Sequence, residues 1–190
     1  MTAGLPIPVK IVVAGGFAVG KTTFVGAISD IDPLTTEAAM TEVSVGVDDV
    51  GGAAGKRATT VAMDFGRVGL ADDLVLYLFG TPGQERFHFL WDELVRGAVG
   101  AVVLVDTERF EDSFAAVDYM ERSGVPFIVA INAFHHTLRH HPDDVRGALD
   151  LGPDVPVVVT DARHREAVRD TLVRLVRHAM TMATSSVLSP

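Results

Sequence analysis

The sequence predicts an α/β protein: three layers, α-β-α, around a mostly parallel six-stranded sheet with one antiparallel strand. Three observations carry that prediction. Strand-sized apolar runs alternate with helix-patterned segments through most of the chain. A Gly-rich loop, Gly15 to Thr22, joins the first strand to the first helix. Two early strands are separated only by a turn region, which makes them antiparallel neighbours.

In chain order, Val9–Ala14 (VKIVVA) reads as a buried strand and Thr22–Ile28 as a short helix. Asp30 to Ala58 is rich in Gly, Asp and Pro and shows no sustained period, so residues 30–58 are expected to form a long mobile insertion. Thr59–Phe65 is a strand, Gly66–Asp73 a turn region, and Leu74–Phe79 a strand apolar on both faces. A loop from Gly80 opens a helix that runs to about Val95. Val99–Val105 is a further buried strand. Phe110, Phe114, Val117 and Met120 have helical spacing. Pro126–Ile131 is a strand, His135–His141 a loop, Pro142–Leu149 a short helix and Val155–Val159 the last strand. Val168, Leu172, Leu175, Val176 and Ala179 mark one face of a final helix, and a polar, frayed tail is expected after Ala183. The whole reads as a single domain over 1–190, with an ordered core of about 8–183.

Composition narrows the function classes. With 48% apolar and 22% charged residues the chain is an ordinary globular one. No apolar run approaches a membrane span, and the first residues lack the basic and apolar regions of a secretory signal. Zero cysteines exclude a disulfide framework and a zinc-thiolate site. These features predict a cytoplasmic protein without direct membrane insertion. The net charge of −9 argues against nucleic acid and anionic membranes as partners.

The loop Gly15–Thr22 reads GGFAVGKT and fits Gly-x-x-x-x-Gly-Lys-Thr, the phosphate-binding loop of nucleoside triphosphatases. Glycine at 15 and 20 permits backbone angles closed to other residues, so successive N–H groups converge on phosphate oxygens at a helix start. Gly15, Phe17, Ala18, Val19, Gly20, Lys21, Thr22 and Thr23 are the expected phosphate-binding set. Lys21 supplies positive charge, and the Thr22 hydroxyl suits Mg²⁺. In a sheet of this kind ligands bind at the carboxyl ends of the strands, where this loop, Gly80–Gln84 and Asn132–His135 all fall.

The stretch LFGTPGQERF (Leu78–Phe87) resembles the DTAGQE segment of Ras-like small GTPases, and TVAMDF (Thr60–Phe65) resembles the TIGVDF segment of Rab-type members. The run from Thr59 to Asp106 is similar to the MglA-like bacterial branch, in particular the small GTPases of actinobacterial conservon clusters. The resemblance extends from Lys10 to His178. It implies the small-GTPase form of the P-loop fold, a GTP/GDP switch with slow Mg²⁺-dependent hydrolysis, a Roadblock/LC7-family partner, and a sensor kinase complex at the membrane reached through partners. It assigns γ-phosphate contact to Gly83, water positioning to Gln84 as the catalytic residue, and a metal ligand to Thr60, with Thr59 as the alternative.

Departures from the pattern define the open questions. Most small GTPases carry an Asp where this chain has Gly80, although MglA-like proteins also commonly lack it. Asp64 is the nearest acidic residue, read first as a solvated strand residue and second as a metal ligand. The guanine motif Asn-Lys-x-Asp appears as Asn132-Ala133-Phe134-His135, and a neutral imidazole is a poorer bidentate acceptor than a carboxylate. Asp161-Ala162-Arg163 resembles the Ser-Ala-Lys loop. Base binding is therefore expected from Asn132, His135, the Ala162 amide, Asp161 as a substitute carboxylate and Arg163 by stacking. Phe17 stands where Ras has glycine; it is read as hindering an external arginine finger and, alternatively, as folding its ring away. Arg57 is read as a solvated loop residue and, alternatively, an internal finger. Histidines 135, 136, 140 and 141 are read as a polar loop rather than a metal site. Phe87, Phe89 and Trp91 are expected to be part core, part partner-facing. Two other readings remain: a pseudo-GTPase scaffold, and a different P-loop ATPase or kinase.

Overall fold

A computed structural model of the chain describes residues 6–32, 34–41, 58–83, 89–134 and 140–188. The first strand, β1 (Ile7–Ala14), alternates its side chains between the two faces of the sheet. Ile11 and Val13 enter one core; Val12 and Ala14 enter the other, and all four are fully buried. The described residues form seven strands and five α-helices in the order β1, α1 (Lys21–Ile28), β2 (Leu34–Thr41), β3 (Ala58–Ala71), β4 (Leu74–Gly80), α2 (Trp91–Val95), β5 (Gly100–Val105), α3 (Phe114–Ser123), β6 (Phe127–Asn132), α4 (Pro142–Ala148), β7 (Val157–Thr160) and α5 (Arg165–Leu188).

The sheet order is β2-β3-β4-β1-β5-β6-β7. The pairs β4–β1, β1–β5, β5–β6 and β6–β7 are parallel, and β3 runs against both its neighbours. The fold class and the single antiparallel strand are as expected. Helices α1 and α5 close one face over Phe24, Leu78, Leu104 and Leu175; α2, α3 and α4 close the other over Trp91, Met120 and Val145. β5 and β6 are buried at every position, as central parallel strands must be.

Four expectations change. Leu34–Thr41, inside the expected insertion, is a seventh strand at the edge of the sheet, paired with β3. Residues 42–57, with Arg57, lie outside the described residues. Gly66–Ala71 is not a turn but the second half of β3, with an irregularity between Gly69 and Ala71 where the strand pairs with β4; pairing there overrides the weak strand propensity of glycine. Among the described residues, the expected helix after Gly80 is α-helical only over Trp91–Val95, entered through 3-10 backbone at Phe89 and Leu90. α5 continues through Leu188, past the expected frayed end. No helix among the described residues is long and apolar enough to cross a membrane.

Candidate functional site

The loop from Gly15 to Gly20 leaves β1 and enters α1. Its path uses left-handed backbone at Gly15 (φ 138°), Ala18 (φ 58°) and Gly20 (φ 104°). No side chain caps the start of α1, so its first N–H groups are left for an anion. Lys21 is 7% exposed, and its ammonium donates to the Gly15 carbonyl at 2.8 Å and to that of Gly16. Burial pulls the Lys21 pKa down to about 8, against the raising effect of Asp64; the Arg109 charge adds to the lowering.

Across the loop stands Asp64, on β3. Read from sequence as solvated, it is instead 9% exposed, and the Thr22 hydroxyl donates to its Oδ2 at 2.8 Å. The cause is strand register. Asp64 and Gly80 are direct partners in the β3–β4 pair, and a Cβ placed on Gly80 would lie 3.0 Å from both Cβ and Oδ2 of Asp64. A carboxylate from the neighbouring strand thus stands directly beside the position that Gly80 leaves without one. Thr81 next to Gly80 is buried, and its hydroxyl has no hydrogen-bond partner among the described residues.

Register also gives the backbone place of Thr60, the second expected metal ligand. Thr60 pairs with Ala39 in β2, four residues along β3 from Asp64, or about 13 Å of extended strand. The structure therefore does not bring Thr60 to Thr22; Thr59 lies one residue farther still, opposite Met40. Gly83, by contrast, is brought tightly onto the loop. A Cβ there would meet Lys21 Nζ and the Phe17 Cα at 2.8 Å. Gln84 and Phe87 lie outside the described residues. Trp91 is buried, donates its indole N–H to the Pro82 carbonyl at 3.3 Å and meets Tyr119 edge-on, whereas Phe89 is exposed. The Phe17 side chain is 61% exposed, and a cleft of about 280 Å³ lies between Phe17, Gly83 and the start of α3.

At the base end, Asn132 joins two loops. Its Nδ2 donates to the Val19 carbonyl at 2.9 Å, and its Oδ1 accepts from the Ala162 N–H at 3.0 Å. Ala162 is fully buried, so the amide expected to read a base is already engaged. Asp161 accepts from Arg163 Nε at 2.9 Å and Nη2 at 2.6 Å. The Arg163 hydrogen bond is the main cause that holds the Asp161 carboxyl at about 2, outweighing its burial. Use of either residue on a base requires opening this pair. The Phe134 ring packs against Gly20, a contact that sequence reasoning did not foresee. His135 and His136 lie outside the described residues. His141 caps α4, accepting from the Asp143 N–H, and no His, Asp or Glu cluster suited to a metal occurs among the described residues.

Arg109 was also missed. Its Nη2 donates to the Phe17 carbonyl at 2.6 Å, and its guanidinium lies 3.5 Å from Asp106 and 3.9 Å from Asp112. No motif marks it; only the tertiary contact does.

A Gly-rich loop with buried lysine, set at the strand ends of this sheet, defines a P-loop nucleotide-binding domain of the G-domain type. The chain belongs to the family described as conserved hypothetical ATP binding proteins, whose model matches residues 13–182. It is 29% identical over 126 residues to the uncharacterized protein MJ1339 of Methanocaldococcus jannaschii, covering 65% of this chain and 69% of that protein. It is 33% identical over 129 residues to Ras-related protein Rab-5A of Dictyostelium discoideum, covering 63% of this chain and 53% of that one. Among solved structures, the cytosolic domain of the T. maritima FeoB iron transporter in a GDP form matches with TM-score 0.63 and 18% identity, over 93% of this chain and 65% of that chain. The FeoB G-domain from Methanococcus jannaschii matches with TM-score 0.59 and 14% identity, over 91% and 98%. The chain thus spans about half of the Rab relative and about two thirds of the T. maritima domain.

Proposed function

We propose that this protein is a guanine-nucleotide switch that hydrolyses GTP slowly and signals through a bound partner. The observation that carries the reading is the Thr22–Asp64 hydrogen bond beside the buried Lys21 ammonium. A hydroxyl, a carboxylate and a lysine at one phosphate loop form the donor set that a Mg²⁺–triphosphate needs. The hard oxygens of Thr22 and Asp64 fit Mg²⁺, and the unpartnered Thr81 hydroxyl lies next to Gly80, Asp64's strand partner. When bound, the ion would neutralise phosphate charge. Lys21 and the loop N–H groups hold the phosphates, Gly83 senses the terminal one, and Gln84, one residue beyond, orients water. Without an assured arginine at the reacting phosphate, turnover is slow.

The choice of guanine is supported by the kinship with Rab-5A and by fold neighbours solved in GDP and GMPPNP forms. The family description, ATP binding, and the Asp161–Arg163 pair at the base end favour a second reading, a P-loop protein that takes ATP. Competition of GTP and ATP for the purified protein in Mg²⁺ decides between them; tighter ATP binding overturns the guanine assignment. The resemblance to the MglA-like conservon branch supports a Roadblock/LC7-type partner, with a sensor kinase complex recruiting the protein to a membrane. Single-turnover hydrolysis with and without such a partner separates a switch from a pseudo-GTPase scaffold: no hydrolysis in either condition leaves only the scaffold.

A further inference from the structure

The turn after β5 braces the phosphate loop from outside. Gly16 packs so closely on it that an added Cβ would fall 2.6 Å from Asp112 Cβ. Arg109, on the same turn, is steadied by Asp106 and Asp112 and donates to one loop carbonyl, that of Phe17. The phosphate chemistry proposed above makes no use of Arg109.

The residue after Phe17 shows why that carbonyl needs holding. Ala18 has φ 58°, a left-handed backbone that disfavours any side chain. A flip of the Phe17–Ala18 peptide would rotate Ala18 out of that region. Because a trans peptide is planar, its C=O and N–H point in opposite directions. With the Phe17 carbonyl tied to Arg109, the Ala18 N–H is turned away from Arg109. A hydrogen bond from a cation is strong enough to offset a left-handed alanine.

We propose that Arg109 is a positioning residue that fixes the Phe17–Ala18 peptide so that the Ala18 N–H serves a bound phosphate. This rests on the reading of Gly15–Thr22 as a phosphate site, and it does not depend on which base is bound. Arg109 acts through the loop backbone and takes no part in bond making or breaking. Because it belongs to the turn leading into α3, a partner that pulled this turn away would loosen the phosphates without touching them.

The test measures binding of Mg²⁺–pyrophosphate and Mg²⁺–GDP to the full chain by calorimetry. Wild type, Arg109→Ala, Arg109→Lys, Ala18→Gly and the Ala18→Gly/Arg109→Ala double variant are compared. Arg109→Ala is expected to weaken both ligands about tenfold or more, and Arg109→Lys, which keeps a cationic donor, to stay within about threefold. Glycine accepts a positive φ freely, so in the Ala18→Gly background loss of Arg109 should cost less than about threefold. An Arg109→Ala protein within about twofold of wild type overturns the proposal. So does an equal loss in both backgrounds, since that is charge attraction alone. Wild type that binds pyrophosphate but not GDP defeats the guanine reading and leaves Arg109 measurable; wild type that binds neither defeats both.

Discussion

Asp64 and Gly80 face each other across the β3–β4 pair, and the carboxylate of one fills the space above the other. The two positions therefore behave as one site. Gly80→Asp alone should crowd a second carboxylate against that of Asp64, since its Cβ alone would lie 3.0 Å from Asp64 Oδ2, and should weaken Mg²⁺-dependent nucleotide binding. Asp64→Ala alone should weaken it about tenfold and abolish the response to EDTA. The Gly80→Asp/Asp64→Gly exchange should recover binding. Failure of the exchange protein to exceed both single variants would sink the equivalence.

Lys21 makes affinity depend on pH in the alkaline range. Its pKa in the empty protein is about 8. A bound phosphate favours the ammonium, so the complex holds its proton to higher pH. Affinity for GDP should be full below about pH 8 and fall, by up to about tenfold per pH unit, as pH rises above it. Calorimetry in buffers of different ionisation heat should show proton uptake on binding near pH 9. The empty protein should show the opposite trend in stability. The unfolded chain holds the Lys21 proton up to 10.5, so folding gains stability between about 8 and 10.5. A flat binding profile over this range contradicts the buried, depressed lysine.

Asn132→Ala should leave the Val19 carbonyl and the Ala162 N–H buried without partners, at a cost of about 1–3 kcal/mol for each. Asn132→Asp keeps an acceptor for Ala162 but buries a charge and turns an oxygen toward the Val19 carbonyl. Its urea midpoint at neutral pH should therefore fall at least as far as that of Asn132→Ala. It should recover relative to Asn132→Ala in acid, where a protonated carboxyl can donate to Val19. If the two variants keep the same order at both pH values, the Val19 bond is not a separate contribution.

Gly83→Ala tests the close approach over Lys21. The added methyl needs space already held by Lys21 Nζ and the Phe17 backbone, so the loop must retreat. Triphosphate affinity should fall about tenfold while diphosphate affinity changes less than about twofold. Equal losses for both nucleotides would place Gly83 away from the terminal phosphate.

Much of this was legible along the chain because it is local. GGFAVGKT carries its own strand, turn and helix signals, and the central strands β5 and β6 carry no polar side chain before Asn132. Asp64 was misread because its burial depends on register with Gly80, sixteen residues away in sequence, which no linear pattern reports. β2 was missed for a related reason: an edge strand needs one partner and little apolar surface. Arg109 reaches Phe17 across 92 positions and has no motif of its own. Thr60 was assigned by resemblance of its segment, and its strand register, opposite Ala39, is something no linear pattern reports.

The Asn132 clasp bears on when the site becomes ordered. One side chain spans the phosphate loop at Val19 and the loop after β7 at Ala162. The relative placement of phosphate and base recognition is therefore set while the chain folds, as β1, β6 and β7 come together. A bound nucleotide would meet two loops already held at a fixed spacing, and the rearrangement still needed at the base end would be the opening of the Asp161–Arg163 pair.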